Sequence, residues 1–205
     1  TGIDVESRAW LLDRMQQAGL KAEIDGIGNV IGRSPNPGPA LLMGSHTDTQ
    51  PEGGWLDGAM GVIYGLEVAR ALSEDPDTAD LAVDVASWMD EEGTFGICMG
   101  SRSFLGQVSD DEIARAKDVN GRGMAESLAA AGYAGRARNR LDPKRNPGYL
   151  EAHIEQGGLL ENSGKRIGVV TAIVGIRTFR LTFEGAQNHA GTTPMPIRKD
   201  AGMAL

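Results

Sequence analysis

Three histidines are the residues of this sequence best suited to chemistry. They are His46, His153 and His189, and each lies in a short polar, glycine-rich segment beside a predicted strand. A lone histidine is about as often an ordinary core or surface residue as a functional one. Three histidines that all have polar loop neighbours are harder to explain in that way. Imidazole binds metal ions and transfers protons near neutral pH, so both kinds of chemistry are open.

Two carboxylates follow His46 closely enough to share a site with it. Asp48 lies two residues later, and Asp57 lies between Gly54 and Gly58. A metal-bound imidazole usually donates its other N–H to a carboxylate, and Asp48 is placed for that role. The glycines give the backbone room to turn Asp57 towards the same pocket, although an Asp-Gly pair is also typical of a plain turn.

Glu91 and Glu92 are a second source of carboxylates, directly after an apolar strand. Most adjacent glutamates are simply solvated. Beside a divalent ion, however, two carboxylates divide the work: one ligates the metal and the other takes a proton from water. His153, also after a strand, adds a third ligand. A mixture of histidine and carboxylate suits Zn²⁺, Mn²⁺, Co²⁺ or Ni²⁺ and indicates a metal-assisted hydrolase.

The elements that must position these residues alternate between strands and helices. Apolar residues recur at helical spacing over residues 6–19 and 59–72, with a weaker helix over 124–131. Short buried strands are predicted at 40–43, at 81–88 and near Tyr149. This pattern predicts an α/β domain with a mostly parallel sheet and helices on both faces. The polar motifs follow the strands, so they should converge at one edge of the sheet.

The pattern changes after Thr171. Apolar and polar residues alternate over 177–183, which is typical of a half-exposed strand in an antiparallel sheet. We therefore expect an incomplete catalytic domain over residues 1–172 and the start of a second, α+β domain over residues 173–205.

Composition limits the partners and the compartment. The formal net charge of -8 and the pI of about 4.9 disfavour nucleic acid and anionic membrane surfaces. A single cysteine, Cys98, excludes an internal disulfide and fits a reducing compartment. No apolar run approaches the ~20 residues that span a bilayer, and the first residues lack a signal-peptide pattern. We expect a cytoplasmic protein.

Six motifs taken together resemble one known family. They match in order and spacing the signatures of the N-carbamoyl-L-amino-acid hydrolases, whose relatives include β-ureidopropionases and allantoate amidohydrolases. This family is the carbamoylase branch of a superfamily of dinuclear metallopeptidases and aminoacylases. The resemblance covers almost the whole chain and corresponds to the family's N-terminal half. The motifs are GSHTDT, GGWLDGAMGV, DEEGTFG, GSRSFLG, HIEQGGLLE and NHAGTTPM.

The resemblance implies two divalent metal ions per subunit. Asp57 would bridge them, His46 and His153 would complete the protein ligands of one ion, and Glu92 would bind the other. The family's last metal-binding histidine, and the arginine that holds the substrate carboxylate, would lie beyond Leu205. The 205-residue chain alone is therefore expected to be inactive and to bind about one ion tightly.

The resemblance also implies the roles of the remaining site residues. Glu91 would be the general base, Asp48 would orient His46, and Gln156 would contact the substrate amide. Asn188 and His189 would lie on a lid and dimerisation domain, where His189 reaches the site of the partner subunit and polarises the scissile carbonyl. The expected assembly is a homodimer. The acidic segment reads Asp-Glu-Glu where the family has three glutamates, and both functional positions are kept.

The implied reaction is hydrolysis of an N-carbamoyl-L-amino acid, a ureido acid, to the amino acid, carbon dioxide and ammonia. Gln50 and Pro51 resemble the β-ureidopropionase branch. Two alternatives from the same superfamily remain open: an allantoate amidohydrolase, and an aminoacylase or peptidase. A third, from another class, is an inactive metal-binding fragment that acts through dimerisation, although the intact Glu91 argues against it.

Overall fold

A computed structural model describes residues 1–175 and 177–204 of the chain. The chain forms two compact units, the first over Thr1–Gln156 and the second starting at Gly157. Ile176 and Leu205, which fall within the predicted second domain, lie outside the described residues. The domain boundary predicted at residue 172 stays a prediction.

The first unit contains every strand in the described part of the chain. Its helices are α1 (Gly2–Gln17), α2 (Ala59–Glu74), α3 (Met99–Phe104), α4 (Asp110–Arg115) and α5 (Met124–Ala130). Its strands are β1 (Lys21–Ile24), β2 (Val30–Arg33), β3 (Leu41–His46), β4 (Val83–Trp88) and β5 (Tyr149–Leu150).

The five strands form one sheet in the order β1-β2-β4-β3-β5. Strand β3 pairs in parallel with β4 and with β5, whereas β2 pairs antiparallel with β1 and with β4. Four strands therefore run in one direction and β2 runs against them. The prediction of an α/β fold with a mostly parallel sheet is confirmed.

Helices cover both faces of this sheet. On one face, Gly32 of β2 leaves room for Met15 of α1, and Gly65 of α2 lies against Val85 of β4. Gly32 and Val85 are register partners, so α1 and α2 pack on the same face. On the other face, a cluster of buried side chains packs with the last residue of α3. These side chains are Ile31, Leu42, Ala86, Trp88 and Phe104.

The β1–β2 hairpin is not predicted from the sequence, because its strands have only four residues each and show no clear period. The buried Asp25 carboxylate accepts hydrogen bonds from the N–H groups of Ile27 and Asn29 and so closes the turn. The Asn29 side chain then accepts from the N–H of Met89 and donates to the carbonyl of Gly100. The turn is thereby tied to the loop after β4.

The second unit has little regular structure. Its described elements are α6 (Leu159–Asn162) and two 3₁₀ turns, Met195–Ile197 and Ala201–Ala204. The strand predicted over 177–183 is wrong for this structure, since these residues are not in a strand. A strand needs a neighbour to complete its hydrogen bonds, and the described part of this unit forms none. No helix in the described chain is long and apolar enough to cross a membrane.

Candidate metal centre

The carboxyl ends of three neighbouring strands bring the candidate residues together. His46 is the last residue of β3 and is the register partner of Trp88, the last residue of β4. The chain continues from β3 towards Asp57 and from β4 into Glu91. On the other side of β3, β5 leads to His153. The motifs that follow the predicted strands therefore do meet at one edge of the sheet.

His46 is almost completely buried, and its ring orientation is fixed by the main chain. Its Nδ1 lies 2.8 Å from the carbonyl oxygen of Asp48. A carbonyl only accepts hydrogen bonds, so Nδ1 carries a hydrogen and Nε2 faces the pocket. The Asp48 carboxylate is 3.6 Å from Nδ1. Asp48 therefore contacts His46 mainly through its carbonyl, whereas the sequence argument uses its carboxylate.

His153 is oriented in the same way. Its Nδ1 lies 2.8 Å from the carbonyl oxygen of Ile154, and its Nε2 lies 3.0 Å from Oδ1 of Asp57. The Nε2 of His46 is 4.0 Å from that same oxygen. Two imidazole nitrogens and one carboxylate oxygen thus converge, with all three atoms within 4.8 Å of one another. This is a donor set that fits a divalent metal ion.

Gly58 permits the approach of Asp57 to His46. Its φ is +68°, in the left-handed region that favours glycine. A Cβ added at Gly58 would lie 2.5 Å from atoms of the His46 ring. Helix α2 begins at the next residue, so Gly58 lets the chain turn from Asp57 into the helix beside the imidazole.

Glu91 and Glu92 approach His46 from the loop after β4. Oε2 of Glu91 lies 3.5 Å from Nε2 of His46, and His46, Glu91 and Glu92 form a second group with metal-ligand spacing. The N–H of Glu92 donates to the Asp48 carboxylate at 3.0 Å, and Gln50 donates to the Glu92 carboxylate at 2.9 Å. The predicted bridging of two ions by Asp57 stays a prediction.

Asp90 is a site residue that the sequence argument missed. It is buried, its φ is +54°, and its carboxylate accepts from the N–H groups of Thr94, Phe95 and Gly96. Burial raises the pKa of Asp90, and these hydrogen bonds offset part of that effect. The carboxylate folds the loop after β4 into a turn that presents Glu91. In the sequence, this turn is indicated only by Gly93, three residues after Asp90.

The site is electrostatically prepared for a cation. Burial by itself lowers the pKa of His46, but hydrogen bonds to Asp48 and the charges of Glu91 and Asp48 outweigh it and raise the pKa to about 9. Burial by itself raises the pKa of Asp48, yet the nearby His46 ring and the hydrogen bond from the N–H of Glu92 lower the pKa overall. The carboxylates thus stabilise positive charge at this edge of the sheet.

Gln156, predicted to contact the substrate, contacts a predicted ligand in this structure. Its side-chain N–H donates to Oδ2 of Asp57 at 2.6 Å, and its φ is +55°. The two oxygens of Asp57 therefore have different partners, since Oδ1 faces the imidazoles and Oδ2 accepts from the amide.

Asn188 and His189 belong to the second unit, where they border a cavity of ≈ 370 Å³ together with Arg198 and Lys199. Nδ1 of His189 accepts hydrogen bonds from the N–H of Gly191 at 3.1 Å and from the N–H of Thr192. A backbone N–H only donates, so this Nδ1 has no hydrogen and the neutral ring carries it on Nε2. This tautomer is the opposite of that fixed for His46 and His153.

Comparison with known proteins places the chain in a family. The model described as Peptidase family M28 matches residues 29–136, just over half of the chain. The chain belongs to this family. The matched range contains β2 to α5 and therefore the His46, Asp57, Glu91 and Glu92 positions.

Several relatives that resemble the chain are named amidohydrolases. The chain is 36% identical to an N-carbamoyl-L-amino acid amidohydrolase of Geobacillus stearothermophilus over 91% of this chain and 47% of that protein. It is 34% identical to an allantoate amidohydrolase of Escherichia coli (strain K12), over 98% of this chain and 50% of that protein.

A solved structure of a hydantoinase/carbamoylase-family amidase from Burkholderia phymatum is 61% identical to the chain, with a TM-score of 0.86. The match covers 100% of this chain and 50% of that structure. The chain thus spans about half the length of the relatives it matches. The resemblance to the N-terminal half of the carbamoylase family is confirmed.

Proposed function

We propose that this chain carries the metal-binding part of an amidohydrolase that cleaves the carbamoyl C–N bond of N-carbamoyl-L-amino acids. One observation carries the proposal. His46 and His153 both donate through Nδ1 to main-chain carbonyls, so both Nε2 atoms face Oδ1 of Asp57. Metal-ligating histidines have this arrangement, in which the second nitrogen fixes the tautomer. The names of the amidohydrolase relatives support the reaction class.

His46, Asp57 and His153 would hold one ion, and Glu92 would help to hold a second. A divalent ion at this position supplies Lewis-acid polarisation of a carbonyl and lowers the pKa of water. The imidazole and carboxylate ligands suit zinc, manganese, cobalt or nickel as the native metal.

Glu91 is the proposed general base because its carboxylate lies beside His46 without a strong hydrogen bond of its own. It takes a proton from the attacking water as the water oxygen bonds to the carbamoyl carbon. The same carboxyl group then gives a proton to the leaving nitrogen as the C–N bond breaks. The carbamate that remains after ammonia leaves loses carbon dioxide and yields the amino acid.

His189 is the proposed donor to the scissile carbonyl oxygen. Its Nδ1 is occupied by two backbone N–H groups, which leaves Nε2–H available to donate. A donor of this kind stabilises the negative charge that develops on the oxygen, and Asn188 beside it would contact the substrate. We propose that His189 acts in the partner subunit's site of a homodimer.

A mixing experiment tests action across the dimer. Inactive Glu91→Gln and inactive His189→Ala subunits of the complete gene product are combined and allowed to exchange. A mixed dimer contains one site with both residues intact, so activity should return to about half of a normal dimer. Proven subunit exchange without recovered activity would show that His189 acts within its own subunit.

Allantoate hydrolysis is the second candidate function, favoured by the Escherichia coli relative, and cleavage of ordinary amides is a third, favoured by the match to a peptidase family. Ammonia release separates the ureido substrates from acylated amino acids and peptides. The complete gene product should release ammonia from N-carbamoyl-L-amino acids faster than from allantoate.

The substrate screen needs two controls. Chelation should abolish turnover and added Mn²⁺ or Zn²⁺ should restore it, whereas the Glu91→Gln variant should stay inactive with metal present. Turnover that survives chelation, or faster cleavage of acyl amino acids and peptides, would contradict the proposed function. An absence of all turnover, with metal bound, would favour the inactive dimerising protein.

A further inference from the structure

His153 lies where the sheet no longer holds the chain. Strand β5 has two residues, and its pairing with β3 ends at Leu150. Strand β3, by contrast, pairs with β4 through to His46. The hydrogen bonds of the sheet therefore fix the backbone of His46. The backbone of His153 follows the last paired residue of β5, so other contacts must position it.

Glu151 provides such a contact. Its Oε1 accepts a hydrogen bond from the hydroxyl of Ser45 at 2.5 Å, and its Oε2 accepts from the hydroxyl of Tyr149 at 2.8 Å. Ser45 is fully buried and directly precedes His46. One carboxylate thus joins the end of the strand that carries His46 to the segment that carries His153.

The Tyr149 hydroxyl is itself held. It accepts a hydrogen bond from the indole N–H of Trp88 at 2.9 Å, and Trp88 is the buried last residue of β4. The chain of hydrogen bonds from Trp88 through Tyr149 and Glu151 to Ser45 therefore crosses the ends of β4, β5 and β3. Both oxygens of Glu151 accept hydrogen bonds from hydroxyl groups in this chain.

The main chain beside Glu151 is fixed by helix α2. A Cβ added at Gly61 would lie 2.3 Å from the carbonyl oxygen of Ala152, so only glycine lets the helix come this close. Glu151 on one side and Gly61 on the other thus hold the two residues before His153. Helix α2 therefore contacts this segment at Ala152, and strand β3 contacts it through the Ser45–Glu151 hydrogen bond.

We propose that Glu151 is a positioning residue that holds His153 at its place opposite His46 and so sets the metal affinity of the centre. This inference rests on the proposed metal-binding function. Residues that orient metal ligands typically contribute ~10–100-fold to affinity. Glu151 acts one step further away, through the backbone of His153, so the lower end of that range is expected.

Cobalt binding to the 205-residue chain tests this proposal without measuring activity. Co²⁺ fits the donor set, and its visible absorption bands report the number and geometry of the ligands. Glu151→Ala should weaken Co²⁺ binding about 10-fold and shift the bands. Glu151→Gln keeps the shape and one acceptor oxygen, and should lie between Glu151→Ala and the unchanged chain. Glu6→Ala, at an exposed glutamate of α1, is the matched control and should change neither quantity.

Ser45→Ala provides an independent test because it removes the partner and leaves the carboxylate. If the Ser45–Glu151 contact does the positioning, Ser45→Ala should weaken Co²⁺ binding, and the double variant should bind no more weakly than Glu151→Ala. Unchanged cobalt affinity and spectrum in Glu151→Ala, even with a lowered melting temperature, would reduce Glu151 to a structural residue. Absence of Co²⁺ binding by the unchanged chain would overturn the proposed metal centre itself.

Discussion

The histidines at the end of the sheet and the histidine of the second unit have opposite hydrogen-bonding surroundings. At the sheet edge, His46 and His153 each donate through Nδ1 to a carbonyl. In the second unit, Nδ1 of His189 accepts from two backbone N–H groups. In the neutral ring, the first arrangement leaves a lone pair on Nε2, whereas the second leaves a hydrogen on Nε2.

This difference shows that the main chain assigns the chemistry of a histidine before any ligand is present. A lone pair on Nε2 binds a metal ion, and a hydrogen on Nε2 stabilises an oxyanion. The sequence shows only that all three residues are histidines in polar loops. The predictions below test whether the two kinds of histidine differ as the geometry requires.

The largest expected effect concerns Glu91, whose carboxylate lies beside the Nε2 atom of His46. In the complete gene product, Glu91→Gln should lower turnover by ~10²–10⁴-fold, the usual contribution of a general base. Metal content, measured by mass spectrometry, should stay normal because the amide keeps the shape of the side chain. Near-normal turnover would show that another group takes the proton.

The second-largest expected effect is a difference in metal affinity between variants that lack His46 and variants that lack His189. His46→Ala should weaken Zn²⁺ binding to the 205-residue chain by more than about 100-fold, because ligands contribute more than the residues that orient them. His189→Ala should leave the affinity unchanged, and it serves as the control. Circular dichroism should confirm that both variants fold. Equal losses for the two variants would remove the distinction.

A smaller effect is expected at Gly58, which lets Asp57 approach His46. Gly58→Ala should lower the free energy of unfolding by about 1–3 kcal/mol, because L side chains rarely adopt this positive-φ backbone conformation, and the contact with the His46 ring adds to this loss. The matched control is Gly54→Ala, since an added Cβ there meets nothing within 4 Å. Urea denaturation measures both. If Gly58→Ala and Gly54→Ala were equally stable, the close approach of Gly58 to the His46 ring would not require glycine at position 58.

The smallest expected effect concerns which nitrogen of the neutral His189 ring carries the hydrogen. Nitrogen-15 chemical shifts of the neutral His189 ring should show a protonated Nε2 and an unprotonated Nδ1. Replacing Thr192 with proline removes one of the two N–H donors and should weaken this preference. A predominantly Nδ1-protonated His189 in the unchanged chain would contradict its proposed role as an Nε2 donor.

Much of the fold is predictable from the sequence because its periods are strong. The apolar spacing over 59–72 predicts α2 (Ala59–Glu74), and the run over 81–88 predicts β4 (Val83–Trp88). Strands β1 and β2 escape prediction because they are too short to show a period. The alternation over 177–183 misleads, since it records a preference for pairing but supplies no partner strand.

The candidate site is predictable in its residue types and less so in its contacts. The position of His46, Asp57 and Glu91 after apolar strands indicates their convergence. No pattern indicates that the Asp48 carbonyl orients His46 or that Glu151 reaches Ser45. These contacts join residues through side-chain rotamers and loop conformations, which depend on the folded backbone.

The central claim is that His46 and His153 bind one metal ion together with Asp57. X-ray absorption at the zinc edge of the 205-residue chain, loaded with one equivalent of Zn²⁺, tests it most directly. The account predicts two imidazole ligands per zinc at about 2.0–2.1 Å, with oxygen ligands completing the shell. In the His153→Ala variant, the number of imidazole ligands per zinc ion should fall from two to one. A zinc ion with oxygen ligands alone would contradict the account.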